Sequence, residues 1–356
     1  MTSLSKLLVT SKGDINLNNN KSIELGSVIS NGNINVNSAE TLKLNDQLQG
    51  RTVNLKANSI IDSSTAKIKT NLLQAVGLNQ IYLDKGNHSI SQFSANSSGD
   101  VSLINNTDLT VQAINTKGSV LIDNQGTLSV ISPFFADDTS LLSKGALRIN
   151  SGSFKSTGTI KLTSRNTGAI NDNIIQNTDL IAAGDIKVNA NDSFIQNANL
   201  IAGATQAQLN SGSNNGARAG VQRGVKGTTG EISVDAAVIQ VAKGVKAISA
   251  SGGAISYGSA RTISNNISPD QIQTTGVVNK IGKNLDSPLL NNLPTTASPE
   301  QVDQIVKIIV LQNQDQQSHF QVIGTGQLPF EAKKPEELEP PKETIRVAGE
   351  DDANCP

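Results

Sequence analysis

Read on its own, the sequence describes an all-β solenoid: a single-stranded parallel β-helix with coils of about 19 residues. A small unit, apolar–any–apolar, recurs at Val101/Leu103, Leu109/Val111, Val120/Ile122 and Leu128/Val130. The offsets alternate between 8 and 11, so every second unit falls 19 residues on, and the next step lands on Leu147/Ile149. Gly opens many of these units, as at Gly13, Gly32, Gly99, Gly118, Gly126, Gly145, Gly158, Gly184 and Gly230.

Each element follows from the same arithmetic. Alternation of period two puts one face of a strand inward. Strands this short are not stable alone, so each coil buries its apolar face against the next. The inward ladders are then Ile15, Ile34, Val53 and, beside them, Leu17, Val36, Leu55. The middle residues point outward: Asn16, Asn35, Asn54, Ser102, Ser129, Arg148, Lys161 and Lys187, all polar. A hexapeptide helix conflicts with the period, a leucine-rich repeat lacks its frame here, and a sandwich does not predict the 19-residue recurrence.

In chain order, residues 1–263 form the β-helix shaft, with about 13 coils expected from roughly 250 residues at one coil per 19. The rhythm loosens over 60–98. Pro133-Phe134-Phe135-Ala136-Asp137-Asp138 reads as a loop bulging from a corner, because Pro cannot donate to a ladder. Ile175-Gln-Asn-Thr-Asp-Leu-Ile-Ala182 recurs as Ile195-Gln-Asn-Ala-Asn-Leu-Ile-Ala202, a coil lengthened to 20. Residues 211–230 are Gly-rich and read as a mobile loop carrying Arg218, Arg223 and Lys226. Residues 264–298, rich in Asn, Pro, Ser and Thr, read as a linker. Ser298-Pro299-Glu300 opens a short helix whose Val302, Ile305, Val306 and Ile309 form an apolar stripe, so 299–330 reads as a helix and cap segment. Residues 331–356, rich in Lys, Glu and Pro, read as a disordered tail.

Composition excludes several functions. Aromatic residues are 3% and Trp is absent, so the core is aliphatic. Net charge is −1 with scattered Lys and Arg, which argues against a nucleic-acid partner. No apolar run reaches the length of a membrane span. The single cysteine, Cys355, reads as an inert residue on a loose tail.

Chemistry-bearing groups are sparse. Asp137-Asp138 is the one adjacent acidic pair in the shaft, and a solvated loop explains it. Asp14, Asp100 and Asp185 each follow a coil Gly, where turn chemistry accounts for them. His88 and His319 lack metal-ligand spacing and read as surface residues. Asn-x-Ser/Thr triplets begin at Asn87, Asn96, Asn105, Asn191 and Asn266, all possible glycosylation acceptors. No catalytic residue, metal ligand or cofactor site is assigned. The basic loop of Arg218, Arg223 and Lys226 is the candidate for binding anionic glycans.

The Gly-x-Ile-x-Leu coils, with the block Gly324-Thr-Gly-Gln-Leu-Pro329 near the C-terminus, resemble the filamentous haemagglutinin-like exoproteins of bacterial two-partner secretion, cyanobacterial members in particular. The resemblance implies a right-handed β-helix, an outer-membrane transporter partner, and adhesion to a glycan or protein receptor. The family's N-terminal secretion domain is not found in these residues, so the chain is expected to be the C-terminal part of a longer exported precursor. The expected function is the non-catalytic shaft of a secreted or cell-surface adhesin. A carbohydrate-active β-helix enzyme, a lyase or hydrolase, is the alternative, and three or more converging Asp, Glu, Arg or Lys side chains would mark it.

Overall fold

The computed structural model describes residues 5–165, 173–210, 230–263, 267 and 271–282, all within one compact unit, Met1–Ser287. The predicted helix near 299–312, the cap segment to 330, the tail, His319 and Cys355 lie outside the described residues. So does the loop with Arg218, Arg223 and Lys226.

The described chain is a parallel β-solenoid of about 11 turns. Each strand pairs, in parallel, with strands one coil before and one coil after it. The first ladder runs β2 (Ile15–Asn19), β4 (Ile34–Ser38), β7 (Thr52–Asp62), with Ile15 beside Ile34 and Val53, and Leu17 beside Val36 and Leu55. A second ladder begins in β3 (Ile23–Ser30) and β5 (Thr41–Leu44) and crosses the far half of β7. It continues through Ile81, Val101, Val120, Thr139, Ile160, Ile186, Ile232 and Ile255 to Val278. These inward aliphatic side chains are almost all sealed from water: Ile34, Val53, Leu103, Ile122 and Leu162 are 0–1% exposed. At about 25 cal/mol per Å² of apolar area removed from water, these ladders are the main stabilising term.

Few aromatics enter this core: Phe93, Phe134, Phe154, Phe194 and Tyr257 are buried in it. Phe134 and Phe154 stack with ring centroids 4.4 Å apart and planes 4° apart, one coil above the other. Pro133 therefore does not open a bulging loop. It stands just before strand β13 (Phe134–Ala136), where a missing N–H is harmless, and its carbonyl accepts the Ile114 N–H.

Coils longer than 19 residues reduce the turn number from 13 to about 11. The coil from Leu147 to Ile174 takes 27 residues, the coil from Ile186 to Ile232 takes 46, and that from Ile232 to Ile255 takes 23. Residues 60–98, where the sequence rhythm loosens, belong largely to β8 (Lys67–Ser97), one long strand whose pairing register shifts between Gly77 and Gln80 and again between Leu83 and His88. The solenoid also runs past 263. Ile272–Gln273 pairs with Ala247–Ile248, and Val278–Gly282 pairs with Ile255–Ser259. The start of the predicted linker is thus corrected: its Thr-rich composition is that of a coil corner.

That corner has a repeating chemistry. A Ser or Thr two residues before the Gly accepts the Gly N–H: Ser30 from Gly32 at 2.9 Å, Thr116 from Gly118 at 3.1 Å, Thr274 from Gly276 at 2.9 Å. The same hydroxyl donates to a carbonyl of the preceding coil, Ser30 to Gly13 at 2.6 Å and Thr274 to Gly253 at 2.6 Å. A carboxylate one coil earlier then accepts the N–H that follows the Gly. Asp14 takes that of Asn33, Asp100 that of Ser119, and Asp138 that of Thr159, at 2.7–2.9 Å. The Gly is required by this close approach: a Cβ on Gly118 would lie 2.5 Å from the Asp100 Oδ1.

The described residues contain no helix long and apolar enough to cross a membrane. Their one helix, α1 (Gln206–Asn210), was not foreseen. Its signal is a capping box, Thr205-Gln-Ala-Gln208: Thr205 Oγ1 accepts the Gln208 N–H, and Gln208 Oε1 accepts the Thr205 N–H at 2.8 Å. Leu209 packs outside the solenoid on Ala183, Ala204, Ile181 and Ile201.

Candidate functional site

Titratable groups show where chemistry is possible, and most are committed to stacking. Besides Asp14, Asp100 and Asp138, Asp108 accepts the Thr127 N–H, Asp179 that of Asn199, and Asp185 that of Glu231. Asp137 accepts the Thr157 hydroxyl at 2.8 Å. The acidic pair 137–138 is therefore a pair of inter-coil staples. The turn reading of Asp14, Asp100 and Asp185 holds in kind, with the difference that each carboxylate reaches the next coil instead of its own turn. Among the described residues, no three His, Cys, Asp or Glu side chains gather as metal ligands would.

The largest correction concerns His88. Its side chain is 0% exposed and faces Asp62, which is equally sealed, with His88 Nε2 3.0 Å from Asp62 Oδ2. Asp62 stands at an inward ladder position beside Leu44, where its neighbours are aliphatic. Two successive amides, Lys85 N–H and Gly86 N–H, converge on its carboxylate, at 3.1 and 2.6 Å from Oδ2. This is a small backbone nest for an anion. His88 Nδ1 accepts the Ile68 N–H at 3.1 Å. The imidazole therefore carries its proton on Nε2 and donates it to Asp62.

A local bulge makes this arrangement possible. Leu83 pairs with Leu103 and His88 with Asn105, so five steps on β8 oppose two on its neighbour. Gly86 fits because a Cβ there would meet His88 Cε1 at 2.8 Å and Asp62 Oδ2 at 2.9 Å. Above His88 an internal polar column continues in register through Asn105, Asn124, Ser143 and Ser164. Asn105 accepts the Ile90 N–H and donates to the Thr107 carbonyl and to Asn124 Oδ1. At 0% exposure, Asn105 is no glycosylation acceptor in the folded chain. These groups satisfy one another inside a sealed corner, which suits them to fixing the backbone and leaves no room for a substrate.

Two further buried polar contacts lie higher in the solenoid. Tyr257 donates to Gln196 Oε1 across the core at 2.8 Å, and burial raises its phenol well above the usual range. Lys155, at an outward position, is covered beside α1 and donates to the Leu209 carbonyl at 2.6 Å. Burial lowers its ammonium below the usual lysine range. Ser102 also departs from expectation: it faces outward but is only 6% exposed, with Tyr82 and Leu121 on either side in register.

The outer surface holds two shallow grooves. One, of about 410 Å³, is lined by Ile195, Asn197 and residues 238–242, none of them ionic. The other, of about 270 Å³, crosses the outer face of the first ladder. It is lined by Asn16, Asn18, Asn35, Asn37, Asn54 and Gln74, with Lys56 as its one charge. Comparison with protein-family models, curated proteins and solved structures finds no match.

Proposed function

We propose that the chain is a structural and adhesive β-solenoid of a secreted or cell-surface bacterial adhesin of the haemagglutinin-like kind. In this reading it is exported with an outer-membrane transporter partner, and it acts without catalysis. The supporting observation is the fate of the carboxylates. Asp14, Asp100, Asp108, Asp138, Asp179 and Asp185 each hold a backbone N–H of the next coil. A carboxylate so occupied is poorly placed for acid–base work, and the Asp62–His88 pair is closed to solvent. The outward rows offer amides, hydroxyls and scattered lysines, which suit reversible contact with a cell-surface glycan or protein.

Beads coated with the purified chain test this directly. They are expected to be retained on cell layers under flow more than albumin-coated beads. Equal retention refutes the adhesive reading. Release of new reducing ends from a polysaccharide incubated with the chain would favour the enzyme instead.

A further inference from the structure

We propose that the amide-lined groove on the outer face of β2, β4 and β7 binds a linear acidic glycan, a chain of hexoses carrying carboxylates. The proposal rests on the adhesive reading and names the ligand class it would engage.

Asn16, Asn35, Asn54 and Gln74 occupy one outward row, and Asn18, Asn37, Lys56 and Val76 the row two residues on. Neighbours within a row are about 4.8 Å apart, and the two rows about 6.6–6.8 Å apart. The first row is zipped: Asn35 Nδ2 donates to Asn16 Oδ1 at 2.7 Å, and Asn54 Nδ2 donates to Asn35 Oδ1 at 2.6 Å. A primary amide has two N–H donors and two acceptor lone pairs. The zipper uses one of each on Asn35, leaving one donor and one acceptor. It also fixes the amide planes, so these side chains lose little freedom on binding. Asn18 and Asn37 stand exposed in the second row.

The result is a zipped row of amides beside a second row with two exposed amides and an ammonium, on a strand-built floor. A chain of vicinal hydroxyls, each both donor and acceptor, complements such a surface. A peptide strand does not, because the floor's own N–H and C=O groups already pair between coils. The charge follows from Lys56, the single ionic residue lining the groove. An ammonium there favours a carboxylate on the passing sugar over a hydroxyl, because a hydrogen bond between two charged groups is the stronger one.

The test uses the full chain and two probes, a galacturonic acid tetramer and a neutral galactose tetramer, with side-chain amide resonances followed by NMR. The acidic tetramer is expected to shift the Asn16, Asn35, Asn54 and Gln74 amide signals. Asn35→Ala should weaken its binding about tenfold, which corresponds to ~1.4 kcal/mol. Lys56→Gln, a change at an exposed side chain, should remove the preference for the acidic probe and weaken the acidic probe more than the neutral one. Asn37→Ala, in the exposed row, is a second variant should Asn35→Ala disturb the coil. Absence of amide shifts with the acidic tetramer overturns the proposal, as does equal binding of both probes. Bead retention without amide shifts removes the groove and keeps the adhesive reading; amide shifts without retention do the reverse.

Discussion

Removing the imidazole of His88 should unfasten one corner of the solenoid. In His88→Ala the Ile68 N–H loses its acceptor at a buried site, which costs about 1–3 kcal/mol. Asp62 loses a donor to a buried carboxylate, worth about 1.5–3 kcal/mol, while keeping Lys85 N–H and Gly86 N–H. The combined loss is about 2.5–6 kcal/mol. Asp62→Ala should cost a similar amount, because it orphans Lys85 N–H, Gly86 N–H and His88 Nε2–H together. The double variant should cost less than the sum of the singles by about 1.5–3 kcal/mol, since the shared hydrogen bond is lost only once. A solenoid's stability is close to a sum over neighbouring coils, so global unfolding alone blurs a local defect. Amide hydrogen exchange resolves it: protection at Ile68, Lys85 and Gly86 should fall, while that at Val120 and Ile160 stays. Unchanged protection at Ile68 in His88→Ala would refute the tautomer and its structural role.

Val120→Asp, placing a charge at a site 1% exposed, should cost several kcal/mol in urea unfolding, whereas Ser129→Asp on the outer face should fall within about 0.5 kcal/mol of the parent. Equal effects would invert the inward and outward assignment. Gly118→Ala should destabilise by about 1–3 kcal/mol because its Cβ meets Asp100, while Gly13→Ala, with open space around it, should be close to neutral; matched thermal melts decide. The Glu40 carboxyl is held below its usual range by the Ser22 hydroxyl, then Lys21 and the Ser22 N–H. Its contribution to stability is therefore complete above the free carboxylate range and lost as pH falls through the lowered one. Ser22→Ala should move the Glu40 titration, followed by NMR, back upward, and an unmoved titration would count against the hydroxyl as the main cause.

The fold was legible because stacking imposes a period that composition cannot hide. The ladders Ile15–Ile34–Val53 and Leu17–Val36–Leu55 follow from alternation and the 19-residue shift, and the coordinates keep them. The Asp62–His88 pair was not legible, because its partners are 26 residues apart and the bulge at 84–87 erases the period where they meet. A His amid apolar alternation gives no sign of whether it faces in or out. The corner chemistry was half visible: Gly and Asp stood out, but the Ser or Thr two residues before the Gly reads as ordinary loop composition until the next coil is placed above it. The amide groove was present as the outward Asn16, Asn35 and Asn54, and only register turns them into a row.

The corner staples bear on how such a chain changes length over generations. At several corners a carboxylate of one coil holds an N–H of the next, as with Asp100 and Ser119 or Asp138 and Thr159. In-frame loss or gain of one whole coil keeps every inward row inward and sets like strands in register at the new junction, and every other junction is untouched. Loss of part of a coil leaves both halves of a staple without a mate and shifts the inward row outward. Heritable variation in this chain is thus expected to come in whole coils, or as inserts at corners such as the one between Ala202 and Ile232, across which the ladders resume in register.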